Sequence, residues 1–152
     1  MNQIRNIKMR LTLLIIVTTI AFFLDSCCTK KECLGFESLN EIQLFNFSPE
    51  DADSLVAETY SNSNFTNRLD SSFVKARGRD SNDKDLIIFL SNRIAKDNSY
   101  KITFLSLGKV YSITNFETSL KECNCPGDDY PVLNSYQVNG QKQNTSLLSI
   151  TK

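Results

Sequence analysis

From residue 41 onward, short apolar stretches separated by polar, turn-rich ones read as strands, with period-two alternation clearest at Tyr100, Ile102 and Phe104. Glu41 to Phe47 is the first: Ile42 and Leu44 point one way, Phe45 and Phe47 the other, so both faces are expected to be covered. Ser48-Pro49-Glu50-Asp51 then reads as a helix start, with a capping Ser, Pro at the first position and acids in the first turn. Ala52, Leu55 and Val56 continue that pattern, but Leu55 to Tyr60 also reads as a strand, so a helical turn leading into a strand is expected. Ser61 to Ser72 is polar and turn-rich, with Phe65 and Leu69 as anchors, and Phe73 to Arg77 suits an edge strand with Lys75 and Arg77 exposed. Gly78 to Lys84 forms a loop. Asp85 to Leu90 is the most apolar run after residue 40 and predicts a central strand. Asn92 to Asn98 turns the chain, and Tyr100, Ile102 and Phe104 alternate with Lys101 and Thr103. Lys109 to Thr114 returns, so Leu86 to Thr114 reads as a three-stranded meander. Phe116 to Leu133 reads as a long connection with a turn at Pro126-Gly127. Ser135 to Val138 and Leu147 to Thr151 read as a closing hairpin, Asn139-Gly140 supplying turn residues within a loop that extends through Thr145. About seven short strands with little helix predict an all-β fold, a single sandwich of immunoglobulin-like or transthyretin-like type. A small open β-barrel is the alternative.

The N-terminus follows another pattern. Arg5, Lys8 and Arg10 precede an apolar run of fourteen residues, Leu11 to Leu24. A helix of that length rises roughly 21 Å at ~1.5 Å per residue, short of a hydrocarbon core of ~30 Å. A basic flank and a short apolar run fit a signal helix better than a membrane span. Leu24-Asp25-Ser26-Cys27 follows at once, with an apolar residue three before the cysteine and a small one just before it. For Cys28 the corresponding residue would be Asp25.

This Leu-x-small-Cys arrangement resembles the lipobox of small bacterial lipoproteins, of the Bacteroidota type, although Asp25 departs from its usual small residue. The resemblance covers residues 1 to 27. It implies removal of residues 1–26 as a signal peptide, lipidation of Cys27, a tether over 27–40 and a β-sandwich domain over 41–152. The stretch Asp53 to Val56, Tyr60 and Asn64-Phe65 looks loosely like the uncharacterised domains of such lipoproteins, without implying an activity. No acidic run follows Cys27 of the kind that resembles a surface-export tag, so the implied location is the cell envelope, at the outer membrane facing the periplasm.

Composition narrows the chemistry. Losing residues 1–26 takes the chain from 17 basic and 17 acidic residues to 14 and 16, a net charge of −2 with no basic excess. A nucleic-acid partner is therefore not expected. His is absent, which removes the commonest general base and metal ligand. No cofactor is implied. After Cys27 come Cys28, Cys33, Cys123 and Cys125, an even set that favours disulfides in an exported chain. Three pairings are open; joining the Cys28/Cys33 segment to the Cys123/Cys125 segment is preferred. A four-cysteine zinc site is the rival, though the spacing matches no usual zinc pattern.

Other motifs are weaker. Ser72-Phe73-Val74-Lys75 matches the Ser-x-x-Lys of penicillin-recognising enzymes, without the companion motifs and on an expected strand or loop. Asp80, Asp83 and Asp85 share a loop, where carboxylates could collect a cation but more commonly face solvent. Asp53-Ser54-Leu55 resembles a three-residue O-glycosylation site of Bacteroidota-type exported proteins, which makes Ser54 a modification candidate. Tyr100, Tyr111, Tyr130 and Tyr136 could line a glycan- or peptide-binding face, with Tyr130 the one expected to be exposed, but strand tyrosines are more often core. The expectation is a non-enzymatic binding or structural accessory, held to the membrane by its N-terminal lipid, with an envelope protein or glycan as partner. The alternative is a pilus- or adhesin-like subunit that donates Leu147 to Thr151 to a neighbour. A small hydrolase using Asp or Ser without His is a third.

Overall fold

The computed structural model describes residues 33, 35–78, 85–123 and 129–152. The signal helix, Cys27, Cys28, Asp80, Asp83 and Cys125 lie outside the described residues. The chain divides into two compact units. One comprises Leu34–Lys121 with Asp129–Lys152 and holds both sheets; the other comprises Met1–Cys33 with Glu122–Asp128.

The larger unit is nearly all β, with no α-helix among the described residues. Among the described residues ten strands form two sheets that do not close into a barrel. They are β1 (Glu41–Phe45), β2 (Leu55–Tyr60), β3 (Arg68–Val74), β4 (Arg77–Gly78), β5 (Asp85–Phe89), β6 (Ser99–Phe104), β7 (Lys109–Lys121), β8 (Tyr130–Val138), β9 (Gln141–Gln143) and β10 (Ser149–Thr151). The four-stranded sheet runs β10-β1-β5-β4 and the six-stranded sheet β3-β2-β6-β7-β8-β9. This is the expected sandwich, with more strands than the seven anticipated.

Alternation builds the core. Ile42, Leu44, Leu86, Ile88 and Ile150 of the smaller sheet and Leu55, Ile102, Phe104 and Ile113 of the larger belong to one buried cluster. Phe47 enters it because Asn46, at φ 64°, breaks the β1 alternation, and its ring stacks on Phe104 at 4.5 Å. Gln43, on the other face of β1, is also buried, so that strand is covered on both sides as expected. Truncating any fully buried aliphatic here should cost about 2–5 kcal/mol.

The helix start at Ser48 forms, but closes only one turn. Ser48 N–H donates to Asp51 Oδ2 at 2.8 Å while Asp51 N–H donates to Ser48 Oγ at 3.3 Å, a reciprocal cap that ends as Leu55 joins the ladder with β6.

Four expectations are corrected. Ser61 to Ser72 is not all turn: Arg68 to Val74 is an edge strand, and Leu69 is 55% exposed rather than an anchor. The meander fails because β5 pairs with β1 and β4 in the smaller sheet, while β6 and β7 form a hairpin in the larger. Between them Ile94 plugs the core at 1% exposure, and its N–H donates to Leu39 O at 2.8 Å. The connection from Phe116 to Leu133 is shorter, because β7 runs on to Lys121 and β8 begins at Tyr130. Asn115, at φ 54°, sits where the β7–β8 register shifts, so the buried side switches from Tyr111 and Ile113 to Phe116 and the strand continues. Last, the closing hairpin is β8–β9, through the two-residue turn Asn139-Gly140 with φ of 50° and 80°. Leu147 to Thr151 crosses to the other sheet, where β10 pairs parallel with β1.

Candidate functional site

At one side of the sandwich the terminal strands of the two sheets, β9 and β10, are both edges. A cleft of about 290 Å³ opens there. Tyr111 and Val138 contribute from β7 and β8, Gln141 and Gln143 from β9, and Ser149 and Thr151 from β10, with Asn139 at the hairpin turn. None of these side chains is charged.

Each is held for a local reason. Gln141 and Gln143 share a strand face because they are two apart, which turns the intervening Lys142 away. Lys142 instead pairs with Glu117, its Nζ 2.9 Å from Oε1 and 2.8 Å from Oε2. Glu117 also accepts a bond from Ser135 Oγ at 2.7 Å. Lys142 first, then Ser135, holds the Glu117 carboxyl below the usual carboxylate range. Asn139 Oδ1 accepts from Ser112 N–H at 2.8 Å, which fixes the turn. Tyr111 is only 8% exposed, its ring packed edge-on against Phe104 and Phe47 at 5.3 and 5.9 Å. Its hydroxyl has no hydrogen-bond partner among the described residues.

The β10 wall is fixed by Tyr136. Gln43 N–H donates to Leu148 O at 2.9 Å and Lys152 N–H to Phe45 O at 3.1 Å, so even-numbered residues face β1 and the backbone groups of Leu147 and Ser149 face outward. The Tyr136 hydroxyl meets them: it accepts from Ser149 N–H at 2.8 Å, and its proton can reach Leu147 O or Ser149 O, both at 3.0 Å. Beyond β10, Lys152 Nζ pairs with Asp51 Oδ2 at 2.6 Å. That ammonium first, and the Ser48 N–H second, hold the Asp51 carboxyl below its ordinary range.

The residues singled out in the sequence distribute as follows. Cys33 and Cys123 are joined by a disulfide within the smaller unit, their Cα atoms 6.1 Å apart, which agrees with the preferred pairing of the two segments. Ser54 is half-buried just before β2, and its carbonyl accepts from Leu105 N–H at 3.1 Å. Asp85 is half-buried at the start of β5, paired in register with Phe45. Ser72 and Lys75 of the Ser-x-x-Lys match are not brought together: Ser72 Oγ lies 3.4 Å from Ser91 Oγ, while Lys75 Nζ pairs with Asp53 at 3.1 Å. Ser91 Oγ donates to Asp70 Oδ2 at 2.6 Å and Asn92 Nδ2 to the same oxygen at 3.2 Å, which staples the β5–β6 connection to β3. Tyr100 and Tyr136 are core, and Tyr130 is the least buried of the four tyrosines. Burial raises the Tyr100 phenol's pKa, and its oxygen accepts Ala95 N–H at 2.9 Å. Among the described residues no group of three or more Cys, Asp or Glu could hold a metal ion, and no helix is long and apolar enough to cross a membrane.

Of the cleft residues, Tyr111 stood out in the sequence as a possible ligand contact and Asn139 only as a turn residue. Gln141, Gln143 and Thr151 carry no motif; the one signal nearby was Asn139-Gly140, which sets the β8–β9 register and so which β9 side chains face inward. No protein-family model, curated protein or solved structure matches the chain.

Proposed function

We propose that this chain is an exported lipoprotein, anchored in the cell envelope through lipid on Cys27, whose β-sandwich is a non-enzymatic binding or structural accessory. The observation that carries the reading is the Cys33–Cys123 bridge. A disulfide of this kind persists in oxidising compartments and is rare in the cytosol, which agrees with the signal-like N-terminus and its lipobox. The periplasmic face of the outer membrane is the proposed location, and a glycan or envelope protein the proposed partner.

The cleft between β9 and β10 supports binding over catalysis, since its lining offers amides and hydroxyls with no charged acid or base among them. The Tyr136 contacts support β10 as an integral strand; donating it to a neighbour, as an assembly subunit would, requires breaking them.

Intact mass of the native protein, with and without reduction, tests the reading. The expected mass begins at Cys27, carries acyl chains, and rises on reduction by two hydrogens for Cys33–Cys123, or four if Cys28 and Cys125 also pair. A mass that begins at Met1 without lipid overturns the anchor and the location with it.

A further inference from the structure

We infer that the β9–β10 cleft is a binding site for the neutral end of a glycan, one or two uncharged sugar rings. This deepens the binding role proposed above and rests on it. The first observation is Tyr111, which lines the cleft with a side chain more than nine-tenths buried and whose hydroxyl has no partner among the described residues. That oxygen keeps access to solvent, so it is free to give and accept a hydrogen bond with a ligand in the cleft. An apolar ligand would strip water from that hydroxyl and from two glutamine amides without replacing the hydrogen bonds.

The second observation is charge. The nearest cation along β9, Lys142, is committed to Glu117 and points off the other face of its strand, and Lys152 after β10 is committed to Asp51. An anionic or cationic ligand would enter a site without a counter-charge. Sugar hydroxyls both donate and accept, which suits Tyr111, Thr151 and the side-chain amides of Gln141 and Gln143; each amide can donate and accept at once.

The third observation concerns the competing ligand, an extended peptide adding as a strand. The outward backbone groups of Leu147 and Ser149 are taken by the Tyr136 hydroxyl, and β9 has only three residues, so neither wall offers a ladder of useful length. Recognition must then run through side chains. A volume of about 290 Å³ lies at the small end of ligand pockets, which suits a sugar terminus.

Amide NMR of the full chain, in a zwitterionic detergent without a sugar headgroup, tests the inference. The probes are maltose, cellobiose, lactose and N,N′-diacetylchitobiose, with a neutral Gly-Ser peptide as competitor. At least one disaccharide should give saturable shifts confined to the side-chain amides of Gln141 and Gln143 and the backbone around Thr151. The double substitution Gln141→Ala/Gln143→Ala should weaken binding at least about tenfold with the melting temperature unchanged, since both side chains sit on an edge. Tyr111→Phe should weaken it several-fold and leave the core packed. Absence of saturation for every sugar below a Kd of about 10 mM, or shifts indifferent to these substitutions, overturns the inference. Saturation by the peptide alone overturns it too, but leaves the binding role standing; the mass measurement bears on the anchor and is independent of either result.

Discussion

The two sides of the sandwich leave their strand edges in opposite states. At one side lie β3 and β4, the outer strands of the larger and smaller sheets; at the other lie β9 and β10. The β3–β4 side presents Phe73 at 83% exposure and Phe89 at 44%, with Lys75 and Arg77 beside them. The β9–β10 side presents neutral amides and hydroxyls, and the outward groups of β10 are occupied by a buried tyrosine. An open edge invites pairing with another chain unless charge, shortness or a covering group prevents it. The first side relies on cations and on a two-residue β4; the second relies on Tyr136 reaching across from the opposite sheet. The more apolar edge is guarded by charge and shortness, whereas the more polar edge is closed by the Tyr136 hydroxyl.

The largest expected effect tests that difference directly. Tyr136→Phe keeps the ring against Phe116 but strips the hydroxyl from Ser149 N–H and from the Leu147 and Ser149 carbonyls. Unpaired groups at that depth should cost about 1–3 kcal/mol in urea unfolding, with the denaturant slope unchanged. A loss below about 0.5 kcal/mol would mean the edge does not depend on the cap.

Asn115→Val comes next. It forces a β-branched residue into a positive φ at the bulge that lets β7 continue, and should cost roughly 1–2 kcal/mol by thermal melting. Asn115→Gly should cost much less; equal losses would place the effect in the side chain, whose Nδ2 donates to Gln137 at 3.0 Å.

Acid should loosen the β9–β10 side. The Asp51 and Glu117 carboxyls are both lowered by lysines, so their stabilisation is complete above the unfolded carboxylate pKa of about 4 and is lost as pH falls through the lowered folded values. Chemical shifts at Lys152 and Lys142 should track that loss. Lys152→Ala and Lys142→Ala together should remove this part of the pH dependence, and an unaltered acid limb in the double variant would contradict it. The smallest effect belongs to the guarded edge: Phe73→Ser should change stability by no more than about 0.5 kcal/mol, since its side chain is mostly in water already.

The same contrast explains what the sequence revealed. Period-two alternation located β1, β2, β5, β6 and the start of β7, because those strands each have one face against the core or are buried throughout. It ended β7 at Thr114, since a bulge reverses which parity is buried and mimics the end of a strand. It missed most of β3, because an edge strand with Leu69 and Phe73 facing solvent and Asp70 and Ser72 facing inward inverts the usual polarity. Sheet membership was illegible: nothing local to Asp85–Phe89 or Ser149–Thr151 says which sheet each joins. The cleft was hidden for that reason, since it exists only once β10 crosses to lie opposite β9.

Native-state amide hydrogen exchange at Ser149 reads the state of the β10 edge. If the Tyr136 hydroxyl seals the β10 edge, the Ser149 amide exchanges only with global unfolding, while the amides of β3 that face away from β2 exchange orders of magnitude faster, and Tyr136→Phe abolishes the difference. Rapid exchange at Ser149 in the native chain, equal to that of the β3 edge, would show that β10 is open and that the Tyr136 hydroxyl does not seal it.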